Sequence, residues 1–317
     1  MKKESIAHFD LVKNQNRRVI RNLLRQKSPQ SVAQLVEQSA LTYPTVSGLL
    51  KELLQRDEVL MCSEMESCGG RPGVRYMLNG DYQYGCVMYF KDWTLKGIVY
   101  NTYGVAVKHI NFEVTNEIQT QDIVNIVKEI KSQFNNLSIL ALGIPGTVLQ
   151  DEITYLPRFP YLQGRELIKA LSEDLAIKVF IENDMNATVL AEIGSCNSFA
   201  HIAYIGECLG VGIVVDGHVI KGSRGYAGEF EYLCEDMKNQ EEVFEKSILA
   251  LVCVLDLPFI LISGEKCSPQ SIEKVIVQLG LKLPKERIPK IELVQDMNLK
   301  YEQGLLKKIL IDWEAHL

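Results

Sequence analysis

Hydrophobic positions in the first eighty residues recur at helical spacing in three segments, residues 14–26, 31–39 and 42–54. In the first segment an apolar stripe is flanked by four arginines, which predicts a basic amphipathic helix. Thr42 precedes the third apolar stripe as an N-cap, with Pro44 in the first turn. Two strand-like runs, residues 59–62 and 74–78, then flank the turn-rich segment SEMESCGGRPG. The pattern predicts a helix-turn-helix followed by a β-hairpin wing.

A helix-turn-helix places its last helix in the major groove of DNA. The residues of this sequence predicted to contact DNA from that helix are Thr42, Tyr43, Thr45, Ser47 and Lys51. In the wing, Arg71 and Arg75 are placed to reach a phosphate or a narrow minor groove, and Gly69, Gly70 and Gly73 allow a close backbone approach. We therefore expect a head that binds duplex DNA as half of a dimer. A small helical domain used for protein contacts is the alternative.

Beyond residue 80 the pattern becomes β-β-β-α-β-α-β and then repeats. The strands of the first set are predicted at residues 84–90, 93–100, 104–114, 137–142 and 178–181, with helices at 122–134 and 164–176. After a helix at 184–193, strands follow at 201–205, 211–215, 218–221, 258–262 and 289–294, and a final helix extends to residue 313. Two similar α/β lobes with a cleft between them are implied.

The domain organisation follows from these patterns. We expect a winged helix-turn-helix at residues 1–80, a first α/β lobe at 81–185 and a shortened second lobe at 186–297. A carboxyl-terminal helix of about residues 298–317 should return to the first lobe.

Composition narrows the class of protein. The 317 residues are 47% hydrophobic and 23% charged, which excludes a chain disordered throughout. Residues 1–80 carry a net charge of +4 and the rest a net charge of −10, which suits a nucleic-acid-binding head on an acidic body. There is no apolar run long enough for a membrane span and no signal-peptide pattern, so we expect a cytoplasmic protein without membrane contact. The eight cysteines are scattered, which favours free thiols.

Four motifs, together with the head sequence and its GGRP wing, carry a family resemblance. They are GIPG (143–146), ENDMNA (182–187), GVGIVVDG (210–217) and GYAGE (225–229). In this order and spacing they resemble the ROK family of repressors and sugar kinases over nearly the whole chain, and most of all its xylose and N-acetylglucosamine repressor branch. The resemblance implies an α/β protein with an N-terminal winged helix-turn-helix followed by a two-lobed actin/hexokinase-like (ribonuclease H-like) ATPase-type fold. It also implies a body that binds a sugar effector.

The nucleotide side of this resemblance is degraded. Bulky residues at 88–93 replace the family's first phosphate loop, D-x-G-G-T. The second loop is GECLGVG (206–212), with Glu207 in place of a threonine that faces phosphate, and a glycine-bearing β-turn explains these glycines equally well. Tyr232 replaces the histidine that precedes the family's zinc cluster, of which Cys234 alone remains, and the adenosine-side turn is reduced to residues 263–265. We therefore expect no bound ATP, zinc or other cofactor, and no catalysis.

The sugar side of the resemblance is preserved. Asn183, Asp184 and Glu229 match family residues that hydrogen-bond sugar hydroxyls, and Asp184 matches the family's catalytic base. A helix cap at Asn183 or Asp184 and a solvated turn at Glu229 are the alternatives. Arg158 falls at the family's asparagine position, and a guanidinium favours an anion. A sugar phosphate or sugar acid is then a better effector than a neutral sugar, unless Arg158 faces solvent or a nearby acid.

These inferences combine into one functional hypothesis. The chain is predicted to be a sequence-specific DNA-binding transcriptional regulator, a repressor, that binds a duplex DNA operator and is controlled by a carbohydrate-derived effector in a catalytically degenerate sugar-kinase-like body. It is expected to form a homodimer or a higher homo-oligomer. The alternatives are an active ATP-dependent sugar kinase with a DNA-binding head, and a regulator whose body only dimerises.

Overall fold

The computed structural model describes residues 2–63, 74–205, 208–235, 237, 239–264 and 267–316. Its first part consists of α1 (Lys2–Gln26), β1 (Gln30–Ser31), α2 (Val32–Ser39), α3 (Tyr43–Gln55), β2 (Val59–Ser63) and β3 (Val74–Leu78). Strand β3 pairs antiparallel with both β1 and β2. Thr42 caps α3 as predicted, since its hydroxyl accepts a hydrogen bond from Thr45 N at 3.4 Å. The apolar stripes of the three helices form one core with Val59 and Leu78. Helix α1 begins well before residue 14, where the stripe predicted it.

Three arginines of α1, each one turn further along the helix, pair with acids from three different elements. The pairs are Arg17 with Glu52 of α3 at 2.7 Å, Arg21 with Glu58 beside β2 at 2.6 Å, and Arg25 with Glu314 near the end of the chain at 3.4 Å. Much of the positive charge of α1 is therefore used to hold α1 in place.

The next part is built on a five-stranded sheet. Its elements are β4 (Tyr84–Lys91), β5 (Thr94–Tyr100), β6 (Ala106–Glu113), α4 (Thr120–Gln133), β7 (Leu137–Ile144), β8 (Thr147–Leu149), β9 (Glu152–Tyr155), α5 (Glu166–Leu175), β10 (Lys178–Asn183) and α6 (Asp184–Leu190). The strand order is β10-β7-β4-β5-β6, with β4, β7 and β10 parallel and β4, β5 and β6 antiparallel. Strands β8 and β9 form a separate hairpin that the sequence pattern did not predict.

A second five-stranded sheet has the same construction. The remaining elements are β11 (Phe199–Ile205), β12 (Cys208–Val215), β13 (His218–Val219), α7 (Glu231–Cys234), α8 (Gln240–Leu255), β14 (Phe259–Gly264), α9 (Pro269–Gly280), β15 (Lys290–Leu293) and α10 (Met297–His316). The strand order is β13-β12-β11-β14-β15, with the first three antiparallel and the last three parallel. The predicted repetition of one α/β pattern is confirmed by the matching orders of the two sheets.

Helix α10 joins the two lobes. Its residues Leu305, Ile309 and Trp313 are buried against the first sheet in one apolar cluster. At the residue before Leu305, a side chain at Gly304 would overlap the carbonyl oxygen of Ala187, so α10 and α6 touch backbone to backbone. The predicted domain boundary after residue 185 falls inside α6, which packs against α10 as well as β12.

The amino-terminal part contacts the body at the turn between β5 and β6. Arg25 Nε donates a hydrogen bond to the carbonyl oxygen of Thr102 at 3.2 Å, and the Tyr103 hydroxyl donates to the carbonyl oxygen of Leu78 at 2.8 Å. The Tyr103 ring also packs against the core of the amino-terminal part. With the Arg25–Glu314 ion pair, these contacts bring α1, the β5–β6 turn and α10 together. In the described part of the chain, no helix combines the length and the apolarity needed to cross a bilayer.

Candidate functional site

Asn183 and Asp184 lie where β10 ends and α6 begins. The Asn183 side-chain oxygen accepts a hydrogen bond from Asn186 N at 2.9 Å, which makes Asn183 the N-cap of α6. Its amide nitrogen donates to the Gly146 carbonyl oxygen and to Asp184 Oδ1, both at 3.0 Å. Asn183 thus acts as a helix cap, and its contact with a ligand stays a prediction. The same cap ties the loop after β7 to the Asp184 carboxylate.

The Asp184 carboxylate has one saturated oxygen and one available oxygen. Oδ1 accepts hydrogen bonds from Met185 N at 2.8 Å and from the Asn183 amide at 3.0 Å, and Oδ2 takes part in neither bond. Burial raises the pKa of Asp184 to about 6, and the negative charge of Glu229 contributes to the shift. At neutral pH this group is an anion that gains from a hydroxyl donor at Oδ2.

Glu229 is brought to Asp184 by a glycine-dependent loop, residues 222–230. Gly228 has a φ of +97°, and a side chain there would overlap the Val211 carbonyl oxygen. Gly225 has a φ of +80°, and a Cβ atom there would stand 2.8 Å from Thr147 Cγ2 in the first lobe. The loop therefore contacts both lobes. Burial and the nearby Glu231 raise the pKa of Glu229. The negative charge of Glu229 in turn acts on Asp184, so the two acidic groups lie near each other.

Arg158 is placed differently from the other three predicted ligand residues. Its side chain is exposed, with the guanidinium carbon 5.7 Å from the centroid of the Trp93 ring. That ring in turn packs edge-on against Phe159, with 5.9 Å between centroids. The contacts of Arg158 in the described residues do not reach Asp184 or Glu229. The structure thus brings together Asn183, Asp184 and Glu229, and stacks Arg158 on an aromatic ring instead.

A buried ion triad beside the site was missed by the sequence reasoning. Glu182 of β10 is 2% exposed and accepts hydrogen bonds from Lys221 at 2.7 Å and from Lys308 of α10 at 2.5 Å. Burial opposes ionisation of Glu182, but the two lysines outweigh it and hold the pKa below its ordinary value. Lys221 follows β13, so the triad links both lobes and α10 one residue before Asn183. The sequence signal was the acid that opens ENDMNA at the end of a buried strand.

Residues 88–93, which replace the first phosphate loop, begin in β4 with three large buried side chains. Met88, Tyr89 and Phe90 are buried, whereas Trp93 in the following turn is 50% exposed. The Tyr89 ring lies 5.0 Å, centroid to centroid, from the ring of Tyr301 on α10. Tyr301 is itself packed against Gly143 of the GIPG motif. These large side chains fill the space behind the strand end.

The glycines that persist in the second loop have a packing role. A Cβ atom at Gly210 would stand 2.7 Å from Met185 Cγ, and one at Gly212 would stand 2.5 Å from the Met185 carbonyl oxygen. Close approach of β12 to α6 requires both glycines. Gly206 and Glu207 of this loop, and Glu265 of the adenosine-side turn, lie outside the described residues.

The described residues contain no group of three or more His, Cys, Asp or Glu side chains arranged to hold a metal ion. Cys234, the remnant of the zinc cluster, is buried on α7 with its sulfur 3.7 Å from Ser247 Oγ. Tyr232, at the family's histidine position, is exposed.

The predicted DNA-contacting residues of α3 fall into two groups. Tyr43, Ser47 and Lys51 are exposed and spaced four residues apart, so they form one row along the helix. Thr42 and Thr45 instead hydrogen-bond each other through their hydroxyls at 2.8 Å as part of the cap. Arg75 lies on β3 opposite Cys62. Arg71, Gly69, Gly70 and Gly73 of the predicted wing tip are outside the described residues.

Comparison with solved structures defines the class of fold. A ROK family transcriptional regulator, described as a homolog of the E. coli MLC protein, superimposes with a TM-score of 0.67 at 18% identity, over 95% of this chain and 97% of that one. Lmo2764, a putative N-acetylmannosamine kinase from Listeria monocytogenes, superimposes with a TM-score of 0.61 at 18% identity, over 73% of this chain and 100% of that one. The body is therefore a mixed α/β, hexokinase-like actin-type fold.

Sequence comparison finds one family model and several named relatives. The model of the ROK family matches residues 98–240. It is 25% identical to the xylose repressor of Bacillus subtilis (strain 168), over 73% of this chain and 63% of the repressor. It is 23% identical to the DNA-binding transcriptional dual regulator NagC of Escherichia coli (strain K12), over 72% of this chain and 59% of NagC. The matched region thus spans less than two thirds of the length of these relatives, and the wider similarities include sugar kinases.

Proposed function

We propose that this protein is a DNA-binding transcriptional repressor whose body binds a sugar effector and does not phosphorylate it. The observation that carries the proposal is the presence, in one chain, of a helical head with an exposed row on α3 and a cleft that groups Asn183, Asp184 and Glu229. Relatives named as a xylose repressor and as NagC support the same combination.

We infer that the head is a winged helix-turn-helix. Helices α2 and α3 are joined by residues 40–42, and the paired strands β2 and β3 supply the wing. In this arrangement α3 enters the major groove and presents Tyr43, Ser47 and Lys51 to base edges and phosphates. We propose that Arg71 and Arg75 contact the backbone or the minor groove from the wing, and that Thr42 and Thr45 position the start of α3.

The body offers acceptors suited to a polyol. The available Oδ2 of Asp184 and the neighbouring Glu229 carboxylate accept from hydroxyl donors, and Asn183 holds the Asp184 carboxylate in place. Two acids close together repel an anion. Arg158 lies over the Trp93 ring and is not placed against either acid. The site therefore favours a neutral sugar over the anionic effector predicted from Arg158, and the ligand panel below tests both.

Regulation requires that effector binding favour one of two states of the protein. The cleft contains groups from both lobes, and Arg25 of the head contacts both Thr102 of the body and Glu314 of α10. A change in the angle between the lobes can therefore reach the head. In a homodimer such a change alters the separation of the two α3 helices, and only one separation fits half-sites a whole number of helical turns apart.

An ATP-dependent sugar kinase is the competing function, because Asp184 stands at the base position with a pKa near neutrality. Against it stand the interior-filling Tyr89 and Tyr301 and the packing role of Gly210 and Gly212. Phosphorylation of a sugar panel above background with ATP and magnesium would establish the kinase.

The test of the regulator combines two measurements on the full chain. Fluorescence anisotropy with DNA from upstream regions should reveal salt-sensitive, sequence-selective binding. Thermal shift with sugars, sugar phosphates and sugar acids should identify a stabilising class, and that ligand should change the DNA affinity. Binding of DNA without any effect of a carbohydrate would instead indicate a body that only dimerises.

A further inference from the structure

Three exposed tyrosines lie beside the acidic site formed by Asp184 and Glu229. Tyr155 is at the end of β9 in the first lobe, Tyr226 is in the loop 222–230, and Tyr232 is on α7. Their exposed fractions are 43%, 45% and 68%. Large aromatic side chains are usually buried, and a group of exposed ones marks a contact surface. We call these three residues the tyrosine rim.

The tyrosine rim contains residues from both lobes. The rings of Tyr155 and Tyr226 lie 6.5 Å apart, centroid to centroid, with an angle of 35° between their planes. Tyr232 is near enough to Tyr155 that this neighbour is the main cause of a raised pKa at Tyr232, with smaller contributions from burial and from Glu229. The rim thus bridges the lobes beside the acidic end of the cleft.

Backbone contacts fix the rim to the site residues. Gly146, whose carbonyl oxygen accepts from Asn183, packs so tightly that a side chain there would overlap the Tyr155 carbonyl oxygen. On the other side, Glu229 N donates to the Tyr226 carbonyl oxygen at 3.5 Å. Tyr155 is therefore linked through Gly146 to Asn183, and Tyr226 is bonded directly to the backbone of Glu229.

The surface suits a sugar ring better than the other common partners of aromatic groups. One face of a pyranose presents C–H groups, which pack on the negative face of an aromatic ring while the hydroxyls stay at the edge. A nucleotide or a phosphorylated ligand would bring its negative charge next to Glu229 and Glu231.

We propose that the tyrosine rim is a second sugar subsite, so that the effector is an oligosaccharide with one ring at Asp184 and Glu229 and the next ring on Tyr155 and Tyr226. This inference rests on the proposed function, because it requires a sugar in the cleft. Since van der Waals contact needs about 4 Å on each side, a ring cannot fit between rings only 6.5 Å apart. The second ring therefore lies against the outer faces of the tyrosine pair.

The experiment is isothermal titration calorimetry on the full chain with matched ligands. The probes are glucose, galactose, mannose, xylose and N-acetylglucosamine, each with its α-1,4-linked and β-1,4-linked disaccharide. We expect at least one disaccharide to bind about tenfold more tightly than its constituent monosaccharide. Equal affinity for the monosaccharide and both of its disaccharides would overturn the second subsite while leaving a sugar-binding body intact.

Variants of the tyrosine rim test whether these residues cause the difference in affinity between disaccharide and monosaccharide. Tyr155→Ala and Tyr226→Ala should each remove most of the disaccharide advantage and change monosaccharide affinity less than twofold, whereas Tyr155→Phe and Tyr226→Phe should retain it. Leu281→Ala, at an exposed apolar residue after α9, is the surface control. Equal losses for both ligands in the alanine variants would contradict the subsite. If no carbohydrate of the panel binds, the sugar-sensing function fails and the subsite fails with it.

Discussion

Asn183 and Asp184 are consecutive residues whose side chains are joined by a hydrogen bond of 3.0 Å, from the Asn183 amide to Asp184 Oδ1. Because Asn183 also caps α6 and bonds Gly146, the carboxylate is oriented by the same contact that starts the helix. Orientation and partial burial together leave Oδ2 as the oxygen available to a ligand.

Asp184→Asn should weaken effector binding about tenfold or more, since a charged acceptor for a hydroxyl is replaced by a neutral amide. The same substitution should stabilise the free protein at pH 7, by on the order of 1–2 kcal/mol, because the buried charge is removed. Calorimetry and urea denaturation measure the two effects. Asp174→Asn, an equal charge change at an exposed position of α5, should alter neither.

His201 should make the fold acid-sensitive. It is fully buried, and burial lowers its pKa to about 4, whereas an unfolded histidine titrates near 6.5. Between these values the unfolded chain binds a proton that the folded chain does not, so stability is lost as the pH falls from 6.5 to 4. The loss amounts to about 3 kcal/mol. Asp184 acts in the opposite direction, since its pKa is raised and its folded form gains a proton first, from about pH 6 downward.

Urea denaturation at pH 7, 6, 5 and 4 isolates the histidine contribution. The stability difference between the wild type and His201→Gln should shift by about 3 kcal/mol in favour of the variant as the pH falls. His109→Gln, at an exposed position of β6, is the control for the loss of an imidazole. A pH-independent difference for His201→Gln would refute the assignment.

Lys51→Ala should weaken DNA binding to specific and random sequences alike and lower the slope of log affinity against log salt by about 1. Lys51 is an exposed cation on the outer row of α3. Anisotropy titrations at several salt concentrations give the slope. Lys128→Ala, at an exposed position of α4, should leave the slope unchanged. An unaltered slope for Lys51→Ala would remove α3 from the interface.

Gly304→Ala should destabilise the protein by about 1–3 kcal/mol, because its methyl group has no room beside the Ala187 carbonyl oxygen. Gly48→Ala is the comparison variant, for which we expect the opposite effect on stability. A Cβ atom there meets nothing within 4 Å, so replacing glycine inside α3 should stabilise by about 0.5–1 kcal/mol. Thermal or urea denaturation compares the two variants. If Gly304→Ala leaves the free energy of unfolding unchanged, α6 and α10 can move apart at little cost.

Glu314→Gln should keep the affinities for effector and for DNA within about twofold of the wild-type values. It should reduce the change in DNA affinity that the effector causes. The ion pair with Arg25 joins α10 to the head, so its loss weakens the connection without altering either site. Anisotropy titrations with and without the effector measure the coupling. Asp312 is a poor control because it bonds Lys178, so Glu129→Gln on α4 is used instead. An undiminished response would place the coupling elsewhere.

Patterns carried by local sequence were predictable. The start of α3 followed from Thr42 and Pro44, and the two lobes followed from alternating strands and helices, because capping and periodicity depend on neighbouring residues. The hairpin of β8 and β9 was missed, since strands of three and four residues carry too short a pattern. The early start of α1 was missed because its first residues lack an apolar stripe.

Interactions between distant residues were not predictable. The arginines of α1 were interpreted as surface charge, but Glu52, Glu58 and Glu314 lie 35 to 289 positions away, and their pairing depends on the complete fold. In the site, Asn183, Asp184 and Glu229 were found from motifs. Arg158 was interpreted from its charge alone. In the structure it lies over Trp93, which is 65 positions earlier in the chain. The motif comparison did not link these two residues.

The Glu182 triad has a kinetic consequence. Lys221 belongs to the second lobe and Glu182 to the first, so moving the lobes apart would break the bond of Lys221 to a carboxylate that is 2% accessible. If the proposed effector site opens in this way, we expect the exchange of effector to be paced by the rupture of this ion pair, whatever the strength of the sugar contacts. Salt ions that compete for Lys221 should speed both association and release, so that residence time on the protein varies with ionic strength more than affinity does.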